Sequence, residues 1–552
     1  METTGAEYVI RYLIERGVRR VAGMPGGAIL PLYDALARSE LAHVLVRHEQ
    51  AAGFIAQGAA RASGTPQVCF ATSGPGATNL LTALADAKMD SVPVVAITGQ
   101  VPTALLGTDA FQEVDIVAAA RPVVKHAELV RSADELPGAL ARAFELAMAG
   151  RRGPVLVDIP KDVQQARVAR VPPRAAPEVQ RNAPPPIEDA QIDAVIALLE
   201  AAERPVLYVG GGAIQADARA LIGALTRAQD LPVTCTLMGL GSVDAADPRY
   251  LGMLGMHGAP YTNLILHECD LLFAIGARFD DRATGKLSEF CPRADVIHVD
   301  VDAREIGKLR RPLLGIQADA AAFLQRLLAK LPARARPAYR AHVAALRDAH
   351  PMPPIDGRAH QVFRALAAAL EPSITITTDV GQHQMWLAQH LPIQRPRQLL
   401  TSGGLGSMGF GLPAAIGAAL ETQGRVWCVT GDGSLLLNIH ELATLADHAL
   451  DVTIVVLDNQ HLGLVRQQQT LFYESRWSAA AFARATDFAA LARAFGIEAA
   501  ALHDAAAIAD GLPSLLAQRG PRLVHVPIAA CDLVLPMVAP GAGNHRMVLT
   551  GG

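Results

Sequence analysis

The 552-residue sequence predicts an α/β protein made of three doubly wound parallel-sheet domains. Three observations carry that expectation. Near-continuous apolar runs of strand length recur along the chain and end in Gly or Asp. A stretch of helical period typically follows each run. Two Pro-rich stretches interrupt the rhythm and divide the chain into about 1–170, 188–330 and 357–552. A strand covered by helices on both faces reads as an unbroken apolar run, so runs of this kind point to parallel sheets. Parallel neighbours need a crossover, which the intervening helices supply.

In the first third, a strand runs through "VLV" into Arg47-His48-Glu49-Gln50 and a Gly/Ala-rich helix. "TSGPGATN" (72–79) follows a further strand and opens a helix, and "PVVAITG" (93–99) is another strand. The second third carries "PVLYVGGG" (205–212), "DLLFAIGARF" (270–279) and "ADVIHVDVD" (294–302). The last third carries "RVWCVTGDG" (425–433), a helix through "NIHELATLADHA", and "VTIVVLDN" (452–459). Residues 171–187 and 331–356 hold many prolines without an apolar period, which is linker composition. Ligands of such sheets bind at the carboxyl ends of the strands, where the Gly- and Asp-containing turns fall.

Composition narrows the function. Hydrophobic residues make up 51% and charged residues 18%, enough for large cores and against a disordered or fibrous chain. A net charge of −4 gives no basic footprint for nucleic acid or anionic lipid, so a small-molecule partner is expected. No apolar run is long enough to span a bilayer, and the N-terminus lacks the layout of a signal or transit segment. Six scattered cysteines without a CxxC pair read as reduced thiols, and the cytoplasm is the expected compartment.

The strongest local signal is Gly431-Asp432-Gly433, continued by Ser434, with 24 residues between Gly433 and Asp458-Asn459. One strand–helix–strand crossover brings Asp432 and Asn459 to neighbouring strand ends. Mg²⁺ takes hard oxygen ligands shared with substrate phosphates, and one carboxylate, one amide oxygen and a backbone carbonyl provide them. The glycines let the backbone approach phosphate and leave N–H groups free at the helix start. Alone, GDG reads as an ordinary tight turn. The spacing and the two strand contexts favour a metal–diphosphate site.

This GDG-x24-DN arrangement resembles the thiamine-diphosphate (ThDP) signature of the pyruvate decarboxylase and acetohydroxyacid synthase superfamily. The resemblance implies Asp432, Asn459 and the main-chain carbonyl of His461 as Mg²⁺ ligands, with Gly431, Gly433 and Ser434 around the diphosphate. It also implies Gln382 and His383 near the diphosphate. Gly406 and Met408 would face the pyrimidine, with Met408 bending the cofactor. A glutamate at the position of Glu49 hydrogen-bonds the aminopyrimidine in these enzymes and promotes proton loss from the thiazolium. On its own Glu49 reads as a helix cap. The resemblance also implies that Glu49 of one subunit meets ThDP held by another, in a homodimer or tetramer whose active sites join two subunits.

Within the superfamily, "GQVPTALLGTDAFQEVDIVAAARPVVKH" (99–126) resembles the acetohydroxyacid (acetolactate) synthases, implying Phe111 and Gln112 at the reaction centre and Lys161 beside it. "LGMLGMHGAPYTNL" and "GARFDDRATGK" imply Met256 and Arg282 at the second substrate, with Arg282 on its carboxylate. A guanidinium fork fits a carboxylate bidentately. The middle third resembles the family's FAD domain, implying Gly210, Gly211, Gly212, His257, Arg278 and Asp300 as FAD contacts, with a flavin that does no net redox work. The implied activity is decarboxylation of pyruvate on ThDP and transfer of the two-carbon unit to a second 2-keto acid. The product is 2-acetolactate or 2-aceto-2-hydroxybutyrate, in the first common step of valine, leucine and isoleucine biosynthesis. Relatives imply a small regulatory subunit. One departure is Gln468, where the family usually has a tryptophan that favours 2-ketobutyrate as acceptor. The bacterial type I enzymes share this glutamine, and weak discrimination is expected. Other ThDP-dependent decarboxylases or oxidases, and a catalytically silent subunit of the same fold, remain alternatives.

Overall fold

The computed structural model describes residues 3–168 and 184–550 of the chain. Three six-stranded sheets form its frame, and every pairing within them is parallel. The first sheet runs in space Ala42–Leu45, Arg20–Gly23, Gln67–Ala71, Val94–Gln100, Val155–Pro160, His126–Leu129. The third runs Leu399–Thr401, Thr375–Thr378, Val426–Gly431, Val452–Asp458, Arg522–Pro527, Glu498–Ala501. Counted along the chain, both have the order 2-1-3-4-6-5. The central sheet runs Tyr250–Met253, Val233–Cys235, Pro205–Val209, Leu271–Ile275, Asp295–Asp300, Leu314–Gln317. Its order, 3-2-1-4-5-6, is that of dinucleotide-binding sheets.

The expected α/β class is therefore the observed one, and its cause is visible in the central strands. Every residue of Val94–Gln100, Val426–Gly431 and Val452–Asp458 is buried, as helices on both faces require. The helix Glu49–Ser63 ends at Gly64 in the left-handed conformation (φ 77°) and packs against the helix Gly411–Thr422. First and third sheets thus meet through two helices rich in small residues.

Two expectations need correction. The Pro-rich segment 331–356 contains a helix, Pro337–Ala349, instead of being linker throughout. Pro337 sits at its first position, where a missing N–H costs nothing, and Tyr339 and Val343 on one face are buried. The expected single helix through "NIHELATLADHA" is broken. Asp432–Leu436 is a short helix, Ile439–Glu441 a 3₁₀ turn and Leu442–Asp447 a second short helix. Asn438 breaks the run with its side chain on the Gly409 carbonyl (2.7 Å). The other Pro-rich stretch, 171–187, lies outside the described residues as far as 183. All six cysteines are free, five of them buried and Cys531 exposed. Among the described residues no helix is long and apolar enough to cross a membrane.

Candidate active site

In the third sheet the strand order reverses between Thr375–Thr378 and Val426–Gly431, which opens a crevice at their carboxyl ends. The first strand leads through Asp379 to the helix Gln382–His390 and the second into Asp432. The two turns touch, since a Cβ on Gly431 would lie 3.0 Å from the His383 ring. Asp432 is buried and its Oδ2 has no hydrogen-bond partner. Burial, and then the neighbouring Asp458 carboxylate, push the Asp432 carboxyl well up from its usual range. Asp458 itself is held by His525 Nε2 at 2.8 Å. Asn459, at the end of the next strand, donates from Nδ2 to Gln382 Oε1 (3.0 Å) and accepts the His461 N–H on Oδ1 (2.9 Å).

Two crowded carboxyl groups and an unpartnered buried oxygen make a place for a cation. Among the described residues no group of three or more His, Cys, Asp or Glu could hold a metal. A cation here would take one carboxylate, the Asn459 amide oxygen, a carbonyl and oxygens of its ligand, which suits Mg²⁺ with a diphosphate. His383 fits the same group. It is buried, its Nε2 lacks a partner, and burial pushes its pKa down to about 3, so it is neutral. Gln382 is committed differently. Its amide spans Asn459, Gln467 Oε1 (3.1 Å) and the Asp532 carbonyl (2.7 Å), so it orients Asn459. Ser434 Oγ donates to the Val380 carbonyl (2.8 Å), tying the two turns together. A Cβ on Gly433 would lie 3.0 Å from the Phe482 ring and 3.1 Å from Leu462, so a side chain there needs both to give way.

Glu49 is the first residue of its helix, which His48 caps with Nδ1 on the Gln50 N–H (3.1 Å). Unlike an ordinary cap-position glutamate it is buried. Asn79, at the end of the short helix Pro75–Asn79 in the Gly-rich segment 72–79, donates to Glu49 Oε2 at 2.9 Å. A Cβ on Gly76 would sit 3.1 Å from Oε1. This segment thus approaches the carboxylate closely and supplies its only hydrogen bond among the described residues.

Gln112 adopts φ 61° beneath Gly74, and Phe111 beside it is 87% exposed. Lys161 opens a short helix at the end of the strand Val155–Pro160. The buried Asp158 on that strand binds Thr98 Oγ1 (2.6 Å) and Gln100 Nε2 (2.9 Å), and Gln100 also holds the Val114 carbonyl (2.9 Å). Asp158 therefore braces the loop that carries Phe111 and Gln112.

A cavity of about 1390 Å³ opens between the three sheets. It lies at the point where the central order reverses, between Pro205–Val209 and Leu271–Ile275. Gly210, Gly211, Gly212, His257, Arg278 and Asp300 line it, as do Met256, Arg282, Gln468 and Gly406. Two of the three glycines are required by protein alone, because Cβ atoms on Gly210 and Gly212 would collide with Gly276. Burial pushes His257 down to about 4 and Asp300 up to about 6. The Arg282 guanidinium lies 3.9 Å from Met256 Sδ, and its nearest carboxylate is the exposed Asp281 at 3.8 Å. That leaves a cation open to an anionic ligand. Gly406 (φ 72°) faces open space, and Met408 is half-buried.

Within one chain these residues form separate groups. No hydrogen bond or ion pair of the described residues joins Glu49, Gln112 or Lys161 to the cavity or to the Asp432 turn. Sequence reading missed the buried acids Asp86 and Asp90, which reach the loop 402–407, and the buried Arg61 that bridges them. It also missed Glu441, whose carboxylate accepts the Arg47 N–H (2.8 Å) and anchors the approach to Glu49. Their only signal in sequence is a lone charge in a Gly/Ala-rich or apolar helix.

The sheets and the crevice define a thiamine-pyrophosphate enzyme. Residues 3–119, 192–327 and 379–526 match the N-terminal TPP binding, central and C-terminal TPP binding domains of thiamine pyrophosphate enzymes. The acetolactate synthase isozyme 1 large subunit of Escherichia coli (strain K12) is 51% identical over 99% of this chain and 97% of its own length. The isozyme 2 large subunit of the same organism is 47% identical over 99% of each chain. The acetolactate synthase large subunit of Parasynechococcus marenigrum (strain WH8102) is 46% identical over 99% of this chain and 91% of its own. The chain belongs to this family of ThDP-dependent acetolactate synthases.

Proposed function

We propose that the chain condenses pyruvate with a second 2-keto acid, pyruvate or 2-ketobutyrate, in a site shared by two copies. The observation that carries this reading is the position of Arg282. Its guanidinium, paired only loosely with the exposed Asp281 at 3.8 Å, lines one cavity with Met256, Gln468 and Gly406, next to the loop that would face the pyrimidine. An exposed guanidinium with so weak a partner can take the acceptor's carboxylate.

In this reading Asp432, Asn459 and the His461 carbonyl hold Mg²⁺, while His383, Gly431, Gly433 and Ser434 surround the diphosphate. ThDP held by these residues would supply the electron sink for loss of CO₂ from pyruvate and for transfer of the two-carbon unit. Glu49 of the partner subunit holds a proton at the pyrimidine, where Asn79 and burial keep its carboxyl oriented and dry. Arg282 orients the acceptor, and Met256 and Gln468 wall its side chain. Gln112, Phe111 and Lys161 close over the donor from the Glu49 side. The 87% exposure of Phe111 supports a partner that covers this edge.

The same reading gives the central cavity to FAD, contacted by Gly210, Gly211, Gly212, His257, Arg278 and Asp300 as a structural group. The strand order and the strand-end Asp300 support a dinucleotide there. The relatives named large subunits support a small regulatory partner. Buried free thiols suit a reducing compartment, and the proposed location is the cytoplasm. Product analysis with pyruvate, Mg²⁺, ThDP and FAD, with and without 2-ketobutyrate, tests the activity. Acetolactate from pyruvate alone, joined by 2-aceto-2-hydroxybutyrate in the mixture, is expected. Acetaldehyde or acetyl phosphate as the main product would overturn the carboligase assignment.

A further inference from the structure

The segment Ser402-Gly403-Gly404-Leu405-Gly406 offers little to fix its own backbone. Three glycines leave it wide conformational freedom, and a single ordered course must be imposed from outside. The imposing groups come from the first third of the same chain. Asp90 Oδ2 accepts the Gly403 N–H (3.0 Å) and Asp90 Oδ1 accepts the Gly404 N–H (2.8 Å). Asp86 accepts the hydroxyls of Ser402 and Ser407, the latter at 3.3 Å. Ser402 Oγ in turn accepts the Ser407 N–H (2.8 Å), closing the loop on itself. Arg61 bridges both acids, with Nη2 at 3.1 Å from Asp86 and 2.9 Å from Asp90, and its Nη1 holds the Thr401 carbonyl (2.9 Å). Its guanidinium lies over the Phe410 ring, 5.0 Å from the centroid.

These side chains are almost wholly withdrawn from water, Arg61 at 6% exposure and both acids at 0%. Charge-assisted bonds in so dry a place are short and directional. Both ends of the segment, and two consecutive N–H groups within it, are thus fixed before any ligand arrives. Only Leu405 and Gly406 remain exposed, toward the cavity.

We propose that Asp90, held by Arg61, is a positioning residue for the cofactor, setting the backbone that Gly406 and Met408 present to the pyrimidine. The inference rests on the reading of 402–408 as the pyrimidine loop. Asp90 and Arg61 also line the edge of the cavity, but both Asp90 carboxylate oxygens are committed to Arg61 and the loop. Asp90 acts through the Gly403 and Gly404 amides.

Asp90→Asn is the informative variant. It leaves Arg61 paired with Asp86, one guanidinium to one carboxylate, so the charge balance of the buried cluster favours a folded chain. The carboxamide, however, offers only one acceptor oxygen to the two loop N–H groups. Calorimetric titration of the apoprotein with ThDP and Mg²⁺ is expected to give a Kd raised about tenfold or more. The kcat at saturating ThDP falls by a similar factor, while the KM for pyruvate stays within about twofold. Met408→Ala, measured alongside, separates this inference from the loop reading beneath it. If Met408→Ala weakens ThDP binding and Asp90→Asn leaves both Kd and kcat within twofold, the positioning role is wrong and the loop reading stands. If neither variant weakens ThDP binding, the loop reading fails and takes the inference with it. Should Asp90→Asn not fold, hydrogen exchange on the wild-type apoprotein decides instead. Protection of the Gly403 and Gly404 amides before ThDP is added is the expected result, and exchange at the rate of a free loop would overturn the proposal.

Discussion

Gly58 and Gly417 lie on opposite sides of the seam between the first and third sheets, and each admits the other helix's backbone. A Cβ on Gly58 would run into the Ala414 carbonyl, and one on Gly417 into the Ile55 carbonyl. The contact is reciprocal, as befits two units with the same strand order. Gly→Ala within a helix ordinarily stabilises by about 0.5–1 kcal/mol. Here overpacking reverses the sign, and Gly58→Ala is expected to cost ~1–3 kcal/mol. Gly223, in the helix Arg219–Gln229, is the control, because a Cβ there meets only the mobile end of Arg227. Thermal melts of Gly58→Ala below wild type, with Gly223→Ala at or above it, are the predicted pair.

Gln468 stands on the wall of the cavity that Met256 and Arg282 share. An aromatic surface there would bury the extra methyl of 2-ketobutyrate. One methylene in an apolar pocket is worth ~1–3 kcal/mol, or roughly 10–200-fold. Gln468→Trp is therefore expected to raise the preference for 2-ketobutyrate over pyruvate as acceptor by at least the lower end of that range. A competition assay that reads both products checks this.

Arg282→Lys keeps the charge and loses the two-pronged fork. Loss of one charged hydrogen bond at about 1.5–3 kcal/mol predicts a fall in kcat/KM for the acceptor of about ten- to a hundredfold. The variant should still bind ThDP as wild type does, which titration of the apoprotein measures.

Asp158 gives a pH signature in stability. Burial pushes its carboxyl up to about 7, whereas an unfolded aspartate titrates near ~3.9. The folded chain holds this proton more tightly than the unfolded chain. Its contribution to stability is therefore complete below about pH 4 and lost as pH rises through about 7. Asp158→Asn cannot ionise and escapes that loss. The melting temperature of Asp158→Asn relative to wild type is expected to rise between pH 5 and pH 8, and a constant difference would contradict the assignment.

The sheets were legible because strands buried on both faces leave unbroken apolar runs, as "VTIVVLD" does for Val452–Asp458. The GDG turn was legible because its chemistry lies in a few consecutive residues at a strand end. The partners of those residues were not. Asn79 reaches Glu49 across 30 positions, and Asp86 reaches Ser402 across 316, so only packing brings them together. Arg61, Asp86 and Asp90 read in sequence as charges on helices that water would solvate. They are buried because they pair with one another and with the segment 401–407. The helix Pro337–Ala349 was hidden by the prolines that flank it and by Pro337 at its start, although Tyr339 and Val343 have helical spacing. Gln382 lay in a segment assigned to the diphosphate, and its fixing of Asn459 needed coordinates to see.

Mixing two inactive variants tests the central claim, a catalytic site assembled from Glu49 of one chain and the Asp432 turn of another. Glu49→Gln and Asp432→Asn are each expected to lose at least about a hundredfold in turnover as homodimers. After co-expression and random pairing, a hybrid dimer holds one site with both changes and one with neither. Activity should then recover to about a quarter of wild type, because roughly half the dimers are hybrid and half of their sites are intact. No recovery, with hybrid dimers shown to form, would mean that Glu49 and Asp432 serve the same site from one chain and would contradict the account.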